Sequence, residues 1–256
     1  MKVLITRPRA QAESFGEALK AAGFEPVYFP VIEIRPLENN VELDNAIKNL
    51  AKYDWVVFTS VNAVNVVFDV VARRALFPTK QSPARSDIAP KIAAIGPKTA
   101  DALRKHDIEP DFIPEEYVGE AILAGLGDLK NKWILLPRAE IARKELPEAI
   151  SKAGGIVHEI VVYRTLPAAV DMEGLEALKS GVDVVTFTSA STVENFVAMM
   201  RRHKLDPLNL PGNPLFACIG PITEQVARGA GFQNVVVAEE YTTDGLIRAI
   251  ANLEKP

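Results

Sequence analysis

The strongest constraint on this chain is a stretch that it contains twice without a gap. Residues Asp54 to Val67 and Asp183 to Phe196 share Asp54/Asp183, Val56/Val185, Phe58/Phe187, Thr59/Thr188, Ser60/Ser189 and Val64/Val193. Each copy is a short run of β-branched and aromatic residues that stops at Thr-Ser, after which apolar residues recur at helical spacing. The pattern reads as strand, polar corner and helix. Serine and threonine are good helix N-caps, and the first helical turn presents unpaired N–H groups beside the positive end of the helix dipole. Such a corner can hold an anion; capping alone also accounts for a single copy, and it is the repetition that favours a binding role.

The repeat extends beyond these corners. Ile95-Gly96-Pro97-Lys98-Thr99 matches Ile219-Gly220-Pro221-Ile222-Thr223, and the same register sets Glu115-Glu116-Tyr117 against Glu239-Glu240-Tyr241. The last unit of the second copy is missing at its C-terminal end and is found at the start of the chain, where Leu4-Ile5-Thr6-Arg7 resembles Leu135-Leu136-Pro137-Arg138. The expected plan is therefore a discontinuous first domain, residues 1–30 plus 168–256, and a continuous second domain, residues 38–157. Residues 31–37 and 158–167 cross between them and are expected to pair as an inter-domain ladder. Strands alternating with helices imply parallel sheets covered on both faces. The predicted fold is α/β: two doubly wound parallel-sheet domains joined by a two-stranded antiparallel ladder.

Several local expectations follow. A helix from about Ala10 should end at Gly23, and Val27 to Ile34 should be one extended segment interrupted by Pro30. Residues 73–90, rich in proline and charge without periodicity, read as a mobile loop. Glu109 to Ile113 reads as a short strand. Trp133 to Leu136 reads as a strand closed by a Pro137-Arg138-Ala139 corner, with a helix from Glu140 to Ala153. Val157 to Thr165 is extended and carries Tyr163.

In doubly wound sheets ligands bind outside the carboxyl ends of the strands, where all the polar corners lie. If the domains face each other, one cleft is expected, lined by Thr6, Arg7, Thr59, Ser60, Asn62, Gly96, Thr99, Tyr117 and Arg138 together with Ser189, Ser191, Gly220, Thr223, Tyr241 and Thr242. Several helix starts acting on one ligand could bind a polyanion without a basic surface. The net charge of -4 and pI near 5.6 argue against a general nucleic-acid or anionic-membrane binder. The single cysteine, Cys218, cannot form an internal disulfide and lies in an apolar strand. No apolar run is long enough for a signal peptide or a bilayer span, so a cytoplasmic protein is expected. Neither common glycine-rich phosphate loop is present, which weakens a dinucleotide or nucleotide-sugar enzyme. His106, His158 and His203 lie far apart in sequence, read as surface or helix-end residues, and suggest no metal site.

The set Leu4-Ile5-Thr6-Arg7-Pro8, Phe-Thr-Ser in both halves, Ile-Gly-Pro-x-Thr in both halves, Leu135 to Glu140, Val162-Tyr163-Arg164-Thr165 and Tyr241 to Leu246 closely resembles the uroporphyrinogen-III synthase family, over essentially the whole chain. The resemblance implies a cofactor-free lyase of tetrapyrrole and heme biosynthesis. Its substrate would be hydroxymethylbilane, which loses water, inverts its last pyrrole ring through a spiro intermediate and closes to uroporphyrinogen III. That substrate carries an acetate and a propionate on each pyrrole, which suits a cleft of helix starts and hydroxyls. The family's tyrosine matches Tyr163, placed to assist departure of the terminal hydroxyl, and a phenol is a weak but usable proton donor. Substrate contacts carry over to Thr59, Ser60, Thr99, Ser189 and Thr223, while Asn62 stands where some relatives have a basic residue. A monomer is expected, with transient contact to hydroxymethylbilane synthase left open. The rival reading from another class is a non-catalytic bilobal sensor or binder of an anionic metabolite.

Overall fold

A computed structural model describes residues 1–72, 89–116 and 119–252. The expected mobile segment therefore lies, but for its last two residues, outside the described residues, as does Tyr117. In chain order the elements are β1 (Lys2–Ile5), α1 (Arg9–Ala21), β2 (Glu25–Tyr28), β3 (Ile32–Pro36), α2 (Val41–Lys48), a single 3-10 turn (Leu50–Lys52), β4 (Trp55–Phe58), α3 (Val61–Ala72), β5 (Lys91–Ala94), α4 (Pro97–Arg104) and α5 (Gly119–Leu126). They continue with β6 (Trp133–Ala139), α6 (Glu145–Lys152), β7 (Ile156–Pro167), α7 (Met172–Ser180), β8 (Val184–Phe187), α8 (Ala190–Arg202), β9 (Leu215–Cys218), α9 (Pro221–Gly229), β10 (Val235–Val237) and α10 (Thr243–Ala251). The chain divides into two compact units, residues 1–33 with 166–256 and residues 34–165.

The first unit holds the sheet β10-β9-β8-β1-β2, with every pair parallel. The second is built on β3-β7-β6-β4-β5, parallel throughout from β7 to β5. Aligning the repeated segments puts β8 on β4, β9 on β5 and β1 on β6, so four strands of each sheet, β9-β8-β1-β2 and β5-β4-β6-β7, share one order although the chain runs through them differently, and β10 and β3 are added at opposite edges. Strands β3 and β7 both pass from one unit to the other. Val31 O accepts from Ala168 N at 3.1 Å and Leu37 N donates to Val162 O at 3.0 Å. Moving up one strand moves down the other, which is the antiparallel relation.

Alternation along each strand buries both faces. In the second unit Val56, Phe58 and Leu135 pack with Val64, Val67 and Leu103 on one side, while Trp55, Val57 and Ile134 pack with Ile122, Leu126 and Ile150 on the other. In the first, Leu4, Val185 and Phe187 meet Val193, Phe196 and Leu175, and Val3, Ile5 and Val184 meet Phe15, Leu19 and Leu246. Thr6 and Thr186 knit two central strands of that unit: Thr6 Oγ1 donates to Thr186 O at 2.5 Å, and Thr186 Oγ1 to Leu4 O at 2.8 Å. The repeated aspartates have a structural explanation. Asp54 Oδ2 accepts from Trp133 N at 2.9 Å, and Asp183 Oδ2 from Lys2 N at 2.6 Å, so each fastens the start of the neighbouring strand.

The interruption expected at Pro30 is found: β2 ends at Tyr28, and β3 begins at Ile32 in the other sheet. Pro26 is tolerated inside β2 because β2 is an edge strand. Other local expectations are corrected. Glu109 to Ile113 forms only an isolated bridge, Phe112 with Ala93, and Pro110 has no N–H with which to extend it. Pro137-Arg138-Ala139 is the end of β6 rather than a corner, and the following helix starts at Glu145 rather than Glu140. Beyond Leu135 no pairing with β4 is found and β6 keeps only β7 as neighbour, so a proline fits on the unpaired side. His158 lies within β7, its Nδ1 2.6 Å from Tyr53 Oη and its Nε2 3.1 Å from Glu42 Oε1.

Asp54 supplies a pH-dependent test. Partial burial pushes its carboxyl up, but the hydrogen bonds from Lys132 and Trp133 N and the Lys132 charge outweigh it and hold the group below its ordinary value. A depressed folded-state value gives stability that is present above the ordinary carboxylate range and is lost as pH falls through the folded value. Asp54→Ala should therefore cost about 1 kcal/mol near neutrality. In urea titrations the gap to the unaltered protein should narrow toward pH ~3, below the unfolded carboxylate range.

Candidate active site

In the second unit β4 and β5 run in register to Phe58↔Ala94, and Ile95 N donates to Phe58 O at 2.9 Å. This sets the Thr59-Ser60 and Gly96-Pro97 corners side by side at the carboxyl edge. Ser60 Oγ accepts from Ala63 N at 3.1 Å and so caps α3. Gly96 precedes α4 with Pro97 at its first position, and Thr99 is buried in that first turn. Thr59 and Asn62 are half-buried beside them.

Tyr163 reaches this corner from β7. The pairing of β6 with β7 is regular to Arg138↔Val161 and then slips, so that Ala139 faces Tyr163. The slip re-aims a side chain, as bulges beside active sites do. Val162 and Tyr163 both join the cluster of Phe58, Val64 and Leu103, although successive residues of a regular strand would point apart. Tyr163 is 6% exposed, and its Oη lies 3.2 Å from Ser60 Oγ. Two residues that the sequence marks separately thus form one pair.

The first unit repeats the frame. Ile219 N donates to Phe187 O at 2.9 Å. Ser189 caps α8 in a reciprocal box with Thr192, and its Oγ is 2.9 Å from Ser191 Oγ. Gly220 precedes α9, and Thr223 is buried in the first turn. The Tyr241 ring lies over Gly220 so closely that a Cβ there would sit 3.3 Å from Cδ1. Tyr241 is otherwise 65% exposed, and Thr242 Oγ1 accepts from Gly245 N at 2.9 Å to cap α10.

The matched arginines have diverged. Arg138 is 7% exposed, with its NH1 paired to Glu159 and its NH2 donating to Arg143 O. It fastens the segment after β6 to β7 and is committed within the protein. Arg7 donates through NH2 to Gln11 Oε1 at 3.0 Å, but its buried Nε has no partner among the described residues. Burial pushes the Arg7 guanidinium down from its ordinary value, and an arginine remains charged at neutral pH. Thr6 is corrected as a lining residue: it is fully buried, and its proton belongs to the Thr186 carbonyl. Glu159 was missed, since only strand register brings it to Arg138. The Cys218 thiol is buried, and burial pushes it up to about 12, which leaves it a core residue. No helix among the described residues is long and apolar enough to cross a membrane.

A family model described as uroporphyrinogen-III synthase HemD matches residues 13–248. The chain belongs to the uroporphyrinogen-III synthase family. It is 32% identical over 253 residues to the uroporphyrinogen-III synthase of Synechococcus elongatus, covering 97% of this chain and 93% of that protein. Its fold is that of the solved uroporphyrinogen III synthases of Thermus thermophilus, a mutant form (TM-score 0.62, 22% identity, all of both chains), and Helicobacter pylori (TM-score 0.63, 19% identity, 99% of both). Membership in the uroporphyrinogen-III synthase family places the chain in tetrapyrrole biosynthesis.

The two arginines separate in a stability measurement. Arg138→Gln removes the guanidinium from the Arg143 carbonyl and leaves Glu159 with only the exposed Lys144, 3.3 Å away, and should cost roughly 1–3 kcal/mol in chemical denaturation. Arg7→Gln breaks a single hydrogen bond to Gln11 and should stay within about 0.5 kcal/mol of the unaltered protein.

Proposed function

We propose that the protein is a cyclising lyase that converts hydroxymethylbilane to uroporphyrinogen III, with Tyr163 as general acid. The observation that carries this reading is the Tyr163 phenol, delivered by an irregular strand pairing to the Ser60 helix start, 3.2 Å from its hydroxyl. The substrate's terminal hydroxyl leaves as water: the phenol proton goes to the departing oxygen, the C–O bond breaks, and the pyrrole nitrogen lone pair supplies the electrons. The substituted carbon of the last pyrrole ring bonds to the methylene so activated, giving the spiro intermediate. Its bond to the original bridging methylene then breaks, that methylene bonds instead to the ring's unsubstituted α-carbon, and this carbon gives up its proton and restores the phenol. One water leaves and no other reactant is needed.

The substrate's acetates and propionates suit the helix starts at Thr59-Ser60, Gly96-Thr99, Ser189-Ser191, Gly220-Thr223 and Thr242. Each exposed start favours an anion by roughly 0.3–1 kcal/mol. Arg7 supplies a charged anchor whose buried Nε is still open among the described residues, for a substrate carboxylate. Tyr241, spread over Gly220 and largely exposed, offers a flat face to a pyrrole ring. Because the linear substrate can also close unaided to the uninverted isomer, holding a conformation is the greater part of the task, an effect of positioning. The protein is read as acting in the cytoplasm as a monomer.

Freshly generated hydroxymethylbilane, incubated with the protein and oxidised, should yield type III porphyrin as the main product; type I alone would make the protein a binder rather than a synthase. Tyr163→Phe should slow turnover by a few-fold to about a hundred-fold, toward the low end for a general acid, with product affinity nearly unchanged. Arg7→Gln should raise KM by roughly ten- to a hundred-fold while leaving kcat close to its original value.

A further inference from the structure

The internal repeat provides a comparison within one molecule. Leu4 and Leu135 occupy matching positions, and their strand partners are Val27 and His158. Counting on from these, Val31 matches Val162, both fully buried, and Ile32 matches Tyr163. Ile32 is a buried core residue in the cluster of Phe187 and Val193, and the Ser189 hydroxyl has Ser191 rather than a phenol as its neighbour among the described residues. Capping is thus common to Ser60 and Ser189, whereas among the described residues contact with a tyrosine is found at Ser60.

We infer that Ser60 is a positioning residue for Tyr163: its hydroxyl donates to the phenol oxygen and leaves the phenol proton turned toward the departing group. This rests on the proposed synthase reading and deepens it. A serine hydroxyl has one proton and two lone pairs. One lone pair of Ser60 Oγ accepts the Ala63 N–H at the start of α3. An oxygen that accepts a hydrogen bond becomes a better donor through its own O–H, because bonds in a chain polarise one another. The ordered chain is therefore Ala63 N–H to Ser60 Oγ, Ser60 O–H to Tyr163 Oη, and the Tyr163 proton outward. In the opposite arrangement the phenol would spend its proton on Ser60 and could not protonate a leaving group.

A double-mutant cycle in the hydroxymethylbilane assay tests this. Ser60→Ala and Ser60→Gly should each lower kcat several-fold with KM within about two-fold; glycine is also well tolerated at a helix start, so it separates the loss of the hydroxyl from the loss of the cap. Adding either change to Tyr163→Phe should slow the enzyme no further, because residues acting as one unit are not additive. Ser60→Thr, which keeps both the cap and the donor, should restore most of the rate. The inference is overturned if the Ser60 change multiplies the loss equally in both backgrounds, as a cap or a substrate contact would, or if kcat is unchanged. An unaltered protein that makes no type III product overturns the synthase reading itself, a result distinct from an additive cycle in an active enzyme.

Discussion

The construction depends on one kind of hydrogen bond, found at three of the strand ends. The residue just past one parallel strand donates to the last carbonyl of its neighbour: Ile95 N to Phe58 O, Ile219 N to Phe187 O, and Phe29 N to Ile5 O, each at 2.9 Å. Parallel strands tied in this way end level, and every chain must leave on the same side. Because both faces are buried under helices, the segment that follows turns into a helix there after β1, β4, β5, β8 and β9. The starts of those helices, with their unpaired N–H groups, therefore collect along the carboxyl edge of each sheet. Such an edge can take up anions without a surplus of positive charge, in keeping with a chain of net charge -4.

On that shared frame the two units have specialised. In the unit of residues 34–165 the arginine at the end of the strand is committed to Glu159, while the slip between β6 and β7 brings a phenol to the serine cap. In the other unit the matching arginine keeps an open donor, and the position matching the phenol is filled by Ile32 in the core. One half carries a phenol at its serine cap and the other an arginine with an open donor.

Much of this was legible because it is local. The Thr-Ser and Gly-Pro corners, the alternation of strand and helix, and the interrupted repeat are properties of short segments, and from them the α/β architecture and most helix starts can be read. What could not be read depends on register over long separations. Arg138 looks like a corner residue because it follows a proline, yet β6 runs on through it, as only its pairing with β7 reveals. Thr6 carries a hydroxyl at the expected place, but whether that hydroxyl faces a ligand or Thr186 depends on a strand from the far end of the chain. The repeated Asp54 and Asp183 carry no role in the sequence pattern and prove to be fasteners at the end of the strands opposite the corners.

The position of β1 has a consequence for synthesis. It lies in the interior of its sheet, between β2 and β8, and its partner Val184 to Thr186 follows it by most of the length of the chain. Residues 34–165 can complete their compact unit as soon as they have emerged, since domains tend to fold as they leave the ribosome. The opening strand and helix must wait beside them with one flank bare until β8 arrives. The lobe that begins first is thus the one that closes last, and its exposed Val3 to Ile5 edge is the segment that most needs shielding in the interval.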